Sequence, residues 1–255
     1  MQLITEKIAI PKERPPLSRS RLIELLSRSV EMYSTTIISG RTGTGKTLLA
    51  ADFARHCGRR VAWYGVDATD KDPHFFFGYL LESLRQVRPG LRVPYLATRG
   101  EQFSEDELEQ LAEAVIYELQ EAEPAEPILI VIDDLHLIYD EPWVLPFFRR
   151  FIPLLPSDIH LLILARSVIP VPLWRMRSKQ NLLTLDEGWL AFTHEEASWL
   201  FATRGLGEKQ AMEALQLSRG RASMVDELAK QMSQRELYPE TEIYPTRHWR
   251  QLSAA

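Results

Sequence analysis

Eight consecutive residues, Gly40-Arg41-Thr42-Gly43-Thr44-Gly45-Lys46-Thr47, constrain this chain more than any other stretch. Three glycines so closely spaced remove side chains where a backbone must turn sharply and aim consecutive N-H groups at one point. The pattern GxxxxGK[ST] is the anion cradle that such a turn forms in front of a helix. Its flanks agree. Ser34 to Ser39 is a β-branched run suited to a buried strand, and Leu48, Leu49, Ala50, Ala51, Phe53 and Ala54 favour a helix packed on a sheet. In that strand-loop-helix context, Gly40, Arg41, Thr42, Gly43, Thr44, Gly45, Lys46, Thr47 and Leu48 are the expected nucleotide-binding residues. Lys46 reaches the β- and γ-phosphates as a catalytic cation, and the Thr47 hydroxyl is a magnesium ligand. The implied ligands are ATP or ADP with Mg2+.

The rest of the chain alternates in the same way. Apolar runs at Val61 to Val66, Ile128 to Ile132, His160 to Ala165 and Asn181 to Leu185 read as further strands, of which Ile128 to Ile132 is apolar enough for a central strand buried on both faces. Helical spacing covers Arg21 to Val30, Phe75 to Val87 and Leu145 to Leu155. A fourth helix opens at Ser104, with Glu107 completing a capping box. The prediction is an α/β fold, a parallel five-stranded sheet flanked by helices. From the Thr193/Glu196 capping box onward every signal is helical, with breaks near Gly205 to Gly207 and at Arg219 to Gly220, so a small helical domain follows. The expected boundaries are an extended N-terminal arm over 1–17, a nucleotide-binding domain over 18–188, the helical domain over 189–237 and a tail over 238–255.

Composition narrows the classes. With 255 residues and a net charge of -5, the chain advertises no basic field for nucleic acid. Arg149-Arg150 and the cluster Arg175 to Lys179 are short enough to be solvated surface. The single cysteine, Cys57, excludes an internal disulfide, and no apolar run reaches membrane-spanning length. A cytoplasmic protein without membrane contact is expected.

Carboxylates are the complement that a phosphate loop requires. Ile128-Leu-Ile-Val-Ile-Asp-Asp134 delivers two of them at the C-terminal end of a buried strand, where open α/β sheets bind ligands. Asp133 is the candidate to orient hydrated magnesium, and Asp134 to polarise the attacking water. Arg166 ends the next apolar strand and is placed to contact a γ-phosphate. His136 reads equally as a structural hydrogen-bonding partner or a base.

Together these segments resemble the signal-transduction ATPases with numerous domains, in particular their maltose-regulator-like branch. The resemblance runs from about Pro11 to Leu228. It is carried by the phosphate loop, by Trp63-Tyr-Gly-Val-Asp67 with Asp70, Asp72-Pro73, Phe76 and Tyr79-Leu80, by Ile132-Asp-Asp-Leu-His136, by Leu154-Leu-Pro156 and His160 to Arg166, and by Leu190-Ala-Phe-Thr193 with Glu195-Glu-Ala197. It implies that Asp133 and Asp134 are the second acidic nucleotide motif, that Arg166 is a sensor arginine, and that the helical segment closes over the nucleotide. Gly220-Arg221-Ala222 stands where the family carries a glycine-any-proline turn near the adenine. The implied function is an ATP-binding, slowly hydrolysing switch whose nucleotide state controls domain arrangement and assembly, with a protein partner or self-assembly and no direct nucleic-acid binding. Two alternatives fit the same motifs: a nucleotide-binding interaction module with little hydrolysis, and a DNA-directed motor or loader ATPase.

Overall fold

A computed structural model describes residues 4–93, 103–121, 126–167 and 182–237. The tail expected over 238–255, the cluster Arg175 to Lys179 and Asn181 lie outside them. The first of two compact units, Met1–Ala191, contains a five-stranded parallel sheet. Its strands are β1 (Thr35–Ser39), β2 (Arg60–Gly65), β3 (Ile128–Asp133), β4 (Ile159–Ala165) and β5 (Leu182–Leu185). They lie in the order β2-β3-β4-β1-β5. Parallel pairing runs throughout, with Ile37 opposite Ile163 and Ile130 opposite Leu161 in the centre.

Period-two alternation divides the strands between two cores, as a sheet buried on both faces requires. Ile128, Ile130 and Ile132 of β3, with Ile159, Leu161 and Ile163 of β4, face one side, covered by α3 (Pro73–Val87), α4 (Glu105–Glu121) and α5 (Val144–Phe151). An aromatic stack seals that side. Phe77 lies 4.8 Å from Phe147 and 5.3 Å from Trp143, centroid to centroid, and Phe147 stacks on Phe151 at 5.1 Å. Leu129, Val131, Leu162 and Leu164 face the other side, beneath α1 (Ser20–Met32) and α2 (Lys46–His56). The basic pair Arg149-Arg150 is spent on α4: Arg149 meets Glu105 at 2.5 Å and Glu109 at 3.0 Å, and Arg150 pairs with Glu113.

The N-terminal segment departs from the extended arm expected of it. Thr5–Ile8 forms a 3-10 turn, Ile8 is buried, and Lys7 places its ammonium 2.7 Å from both oxygens of Asp70, 3.0 Å from Asp67 and 4.3 Å above the Tyr79 ring. Asp70 is fully buried in a second 3-10 turn, Ala68–Lys71, that Asp67 caps. Arg55 of α2 then donates to the carbonyls of Pro11 and Glu13, and Ser18 donates to Asp52 at 2.6 Å. Alternating Ile and Pro give no period by which such docking shows in a sequence. The segment is fastened by long-range polar contacts instead.

The second unit, Phe192–Ala255, contains α7 (His194–Ala202), α8 (Glu208–Ser218) and α9 (Ala222–Leu237). Thr193 and Glu196 form the reciprocal capping box at the start of α7. The breaks fall at Gly205 and at Arg219-Gly220, all three with positive φ. Ala222 takes the first position of α9, where proline is also tolerated. Among the described residues no helix is long and apolar enough to cross a membrane.

Because Asp70 is fully buried, Lys7→Met removes the ammonium that pairs with both of its carboxylate oxygens. A loss of about 3 kcal/mol in urea unfolding is expected, and Lys7→Arg restores most of it.

Candidate nucleotide-binding site

Parallel pairing brings the C-terminal ends of β1, β3 and β4 to one edge, and the predicted site residues follow from those three strands. β1 runs into the glycine loop, whose Gly40 N-H still bonds to the Ala165 carbonyl at 3.1 Å as a continuation of the sheet. Gly43 and Gly45 adopt φ of 83° and 89°, the left-handed region that other residues enter at a cost. Gly40 keeps an ordinary φ and is needed for closeness: a Cβ there would sit 3.1 Å from Thr44 Oγ1. The loop therefore uses its glycines in two ways, where the sequence pattern suggests one.

Lys46 and Thr47 begin α2 directly after the turn. The Lys46 ammonium is buried and donates to the carbonyls of Gly40 at 2.5 Å and Arg41 at 3.1 Å, which holds it across the mouth of the loop. Burial lowers its pKa, against the pull of Asp134 and Asp133. Asp133 ends β3 with its side chain buried, and burial followed by repulsion from Asp134 raises its pKa to about 6; the Thr47 hydroxyl bonding to it works the other way. Asp133 Oδ1 is buried without a hydrogen-bonding partner. A hard oxygen left over beside a threonine hydroxyl fits a magnesium ion, which takes one or two protein oxygens and otherwise water and phosphate. No cluster of three or more metal-binding side chains occurs among the described residues.

Asp134 turns out of the strand at φ 57°, ψ 29°, a left-handed conformation uncommon for a residue other than glycine. The turn sets its carboxylate among the others. His136 Nδ1 lies 3.5 Å from Asp134 Oδ1, and Arg166 Nε lies 4.0 Å from the same oxygen. Burial lowers the His136 pKa, against the pull of Asp134. Arg166, just past β4, remains half-exposed. Lys46, Thr47, Asp133, Asp134 and Arg166 thus share one edge of the sheet.

Glu187 belongs to the same neighbourhood and was not foreseen. It opens the short helix α6 (Glu187–Leu190) after β5, and its carboxylate meets Arg41 Nη2 at 2.7 Å. The signal was present in Asp186-Glu187 directly behind a strand, the position that made Asp133-Asp134 conspicuous, but β5 is short and its neighbour in the sheet cannot be read from sequence.

A parallel sheet with a glycine loop and a carboxylate strand at one edge defines a P-loop nucleoside triphosphatase. The AAA ATPase domain model matches residues 15–164, and the chain belongs to that family. The HTH-type transcriptional regulator MalT of Serratia proteamaculans is 29% identical over 218 residues, which are 84% of this chain and 23% of that protein. MalT of Yersinia enterocolitica is 30% identical over 203 residues, 79% of this chain and 22% of that protein. The chain therefore spans under a quarter of the length of these relatives. In fold it is similar to a signal transduction ATPase with numerous domains (STAND) with a tetratricopeptide repeat sensor from Pyrococcus horikoshii. That match has a TM-score of 0.57 at 17% identity and covers 92% of this chain and 34% of the other. The chain is a MalT-like P-loop ATPase module.

The elevated Asp133 pKa carries a stability consequence. The folded state holds that proton more tightly than the unfolded chain, so the contribution is favourable below the ordinary carboxylate value of 3.8 and is lost as pH rises through about 6. At neutral pH the ionised side chain costs folding about 3 kcal/mol relative to the protonated one. Asp133→Asn is expected to raise the melting temperature by ~5 °C at neutral pH, with the gain vanishing near the unfolded pKa. Calorimetric melts across that range measure it.

Proposed function

We propose that this chain is a magnesium-dependent ATP switch: it binds ATP or ADP in the glycine loop, hydrolyses ATP slowly, and uses the nucleotide state to set the arrangement of its two units and their assembly with a partner or with further copies. The observation that carries the reading is the gathering of Lys46, Thr47, Asp133, Asp134 and Arg166 around one loop mouth. The amides of Gly43 to Leu48 and the Lys46 ammonium bind the phosphates. Thr47 and Asp133 would hold a magnesium ion, which would supply charge neutralisation to the phosphates.

Asp134 aligns the attacking water by accepting its proton, and its left-handed turn keeps that carboxylate out of the β3 ladder. Arg166 is close enough to Asp134 to share its field and exposed enough to reach outward to a γ-phosphate. A γ-phosphate contact of that kind favours one arrangement only by its differential affinity for the two. The MalT transcriptional regulators and the STAND protein named above support a role in signal transduction.

Two substitutions separate binding from turnover. Lys46→Ala is expected to weaken ATP binding by at least ~100-fold in calorimetry; tight binding by that variant would remove the loop from the site. Asp134→Asn is expected to retain ATP while lowering single-turnover hydrolysis by about 100-fold. Hydrolysis equal to that of the wild type moves the water-aligning role elsewhere. A wild type that binds nucleotide and leaves it intact favours the interaction module.

A further inference from the structure

The switch mechanism leaves Glu187 unused. β5 pairs in parallel with β1, which puts the two residues after β5, Asp186 and Glu187, beside the loop that follows β1. There the Glu187 carboxylate accepts from Arg41 Nη2 at 2.7 Å, from Arg41 Nε at 3.0 and 3.2 Å, and from the Arg41 backbone N-H at 3.3 Å. The approach is close: a Cβ at Gly40 would lie 3.5 Å from Glu187 Cβ and 3.4 Å from Leu190 Cδ1. The negative field also reaches into the loop, since Glu187 is among the charges that raise the pKa of Lys46. A carboxylate therefore stands on the rim of a cradle shaped for a polyanion and occupies a backbone donor of the loop itself.

We propose that Glu187 is a charge gate on the phosphate loop: its carboxylate competes with nucleotide phosphates for Arg41 and the loop amides, and α6 carries the outcome to the end of the first unit. The proposal rests on the nucleotide reading given above and adds a regulating residue to the same site. The competition follows from Coulomb's law, because one negative charge within about a nanometre of a polyphosphate, at an effective dielectric between that of protein and water, changes affinity by about tenfold. Arg41 offsets part of that charge. A phosphate that draws Arg41 toward itself leaves Glu187 facing like charge.

The geometry of α6 gives that movement somewhere to go. The helix is a single turn, and two guanidinium groups at the start of α1 hold the carbonyls at its far end. Arg19 donates to Leu190 O at 2.7 Å and Ala191 O at 2.8 Å, and Arg21 donates to Trp189 O at 3.1 Å and Ala191 O at 3.3 Å. Asp186 caps the near end through the Gly188 and Trp189 N-H groups. A shift of Glu187 is therefore met within one turn by residues tied to α1, and Ala191 is where the first unit ends.

The test is a charge series read by isothermal titration of Mg-ATP and Mg-ADP into the full chain, comparing wild type, Glu187→Gln and Glu187→Lys. A gate tightens binding in that order, by about tenfold per step, with the steps shrinking as salt is raised. A residue that merely props the loop weakens binding in both variants, and equal or weaker binding overturns the proposal while leaving the nucleotide reading intact. A wild type that binds neither nucleotide overturns both. Hydrogen exchange reads the second half: nucleotide is expected to change exchange at Gly188 to Ala191 severalfold in the wild type and not in Glu187→Gln. The same response in the two proteins, or none in the wild type, overturns the relay through α6.

Discussion

A buried ammonium and a buried carboxylate at the ends of adjacent structural layers set the terms for the rest of this molecule. Lys46 at the start of α2 and Asp133 at the end of β3 are each taken out of water by the packing that makes the sheet stable. Neither would be placed there by stability alone, since each shifts toward its neutral form and Asp133 does so as far as about 6. What keeps them is position. β3 lies next to β4 and β4 next to β1, so the carboxylates arrive one strand away from the loop. The two cores on either face hold that register, and a large, regular apolar sandwich bears the cost of the charges that their local partners leave.

Much of this was legible because the elements involved are governed by local rules. The glycine spacing demands a turn, Ile128 to Ile132 can hardly be anything but an interior strand, and the boxes at Ser104/Glu107 and Thr193/Glu196 cap α4 and α7 as written. The breaks at Gly205 and Gly220 were readable for the same reason, because a chain reverses most cheaply where φ can be positive. The chemistry of Asp133, Asp134 and Arg166 was inferred from strand ends, and parallel pairing is what turns three strand ends into one place.

The features that escaped are those fixed by partners far away in sequence. Nothing near Lys7 indicates that its ammonium is matched by Asp70, or that Thr5–Ile8 curls rather than extends. The pairing of Arg41 with Glu187 depends on β5 lying beside β1, a fact of sheet order that no local pattern encodes. The left-handed backbone of Asp134 is invisible for another reason. Aspartate is tolerated there, so no glycine marks the spot.

The docked N-terminal turn bears on what counts as the folded unit. The region that matches the family begins at residue 15, beyond the lysine that neutralises Asp70 and the carbonyls that Arg55 grips. A chain shortened to that starting point would keep every residue of the nucleotide site and yet leave a fully buried acid without its ammonium beside the edge strand β2. Domain limits drawn by sequence likeness and limits drawn by charge balance are different lines in this chain, and the second lies about ten residues upstream.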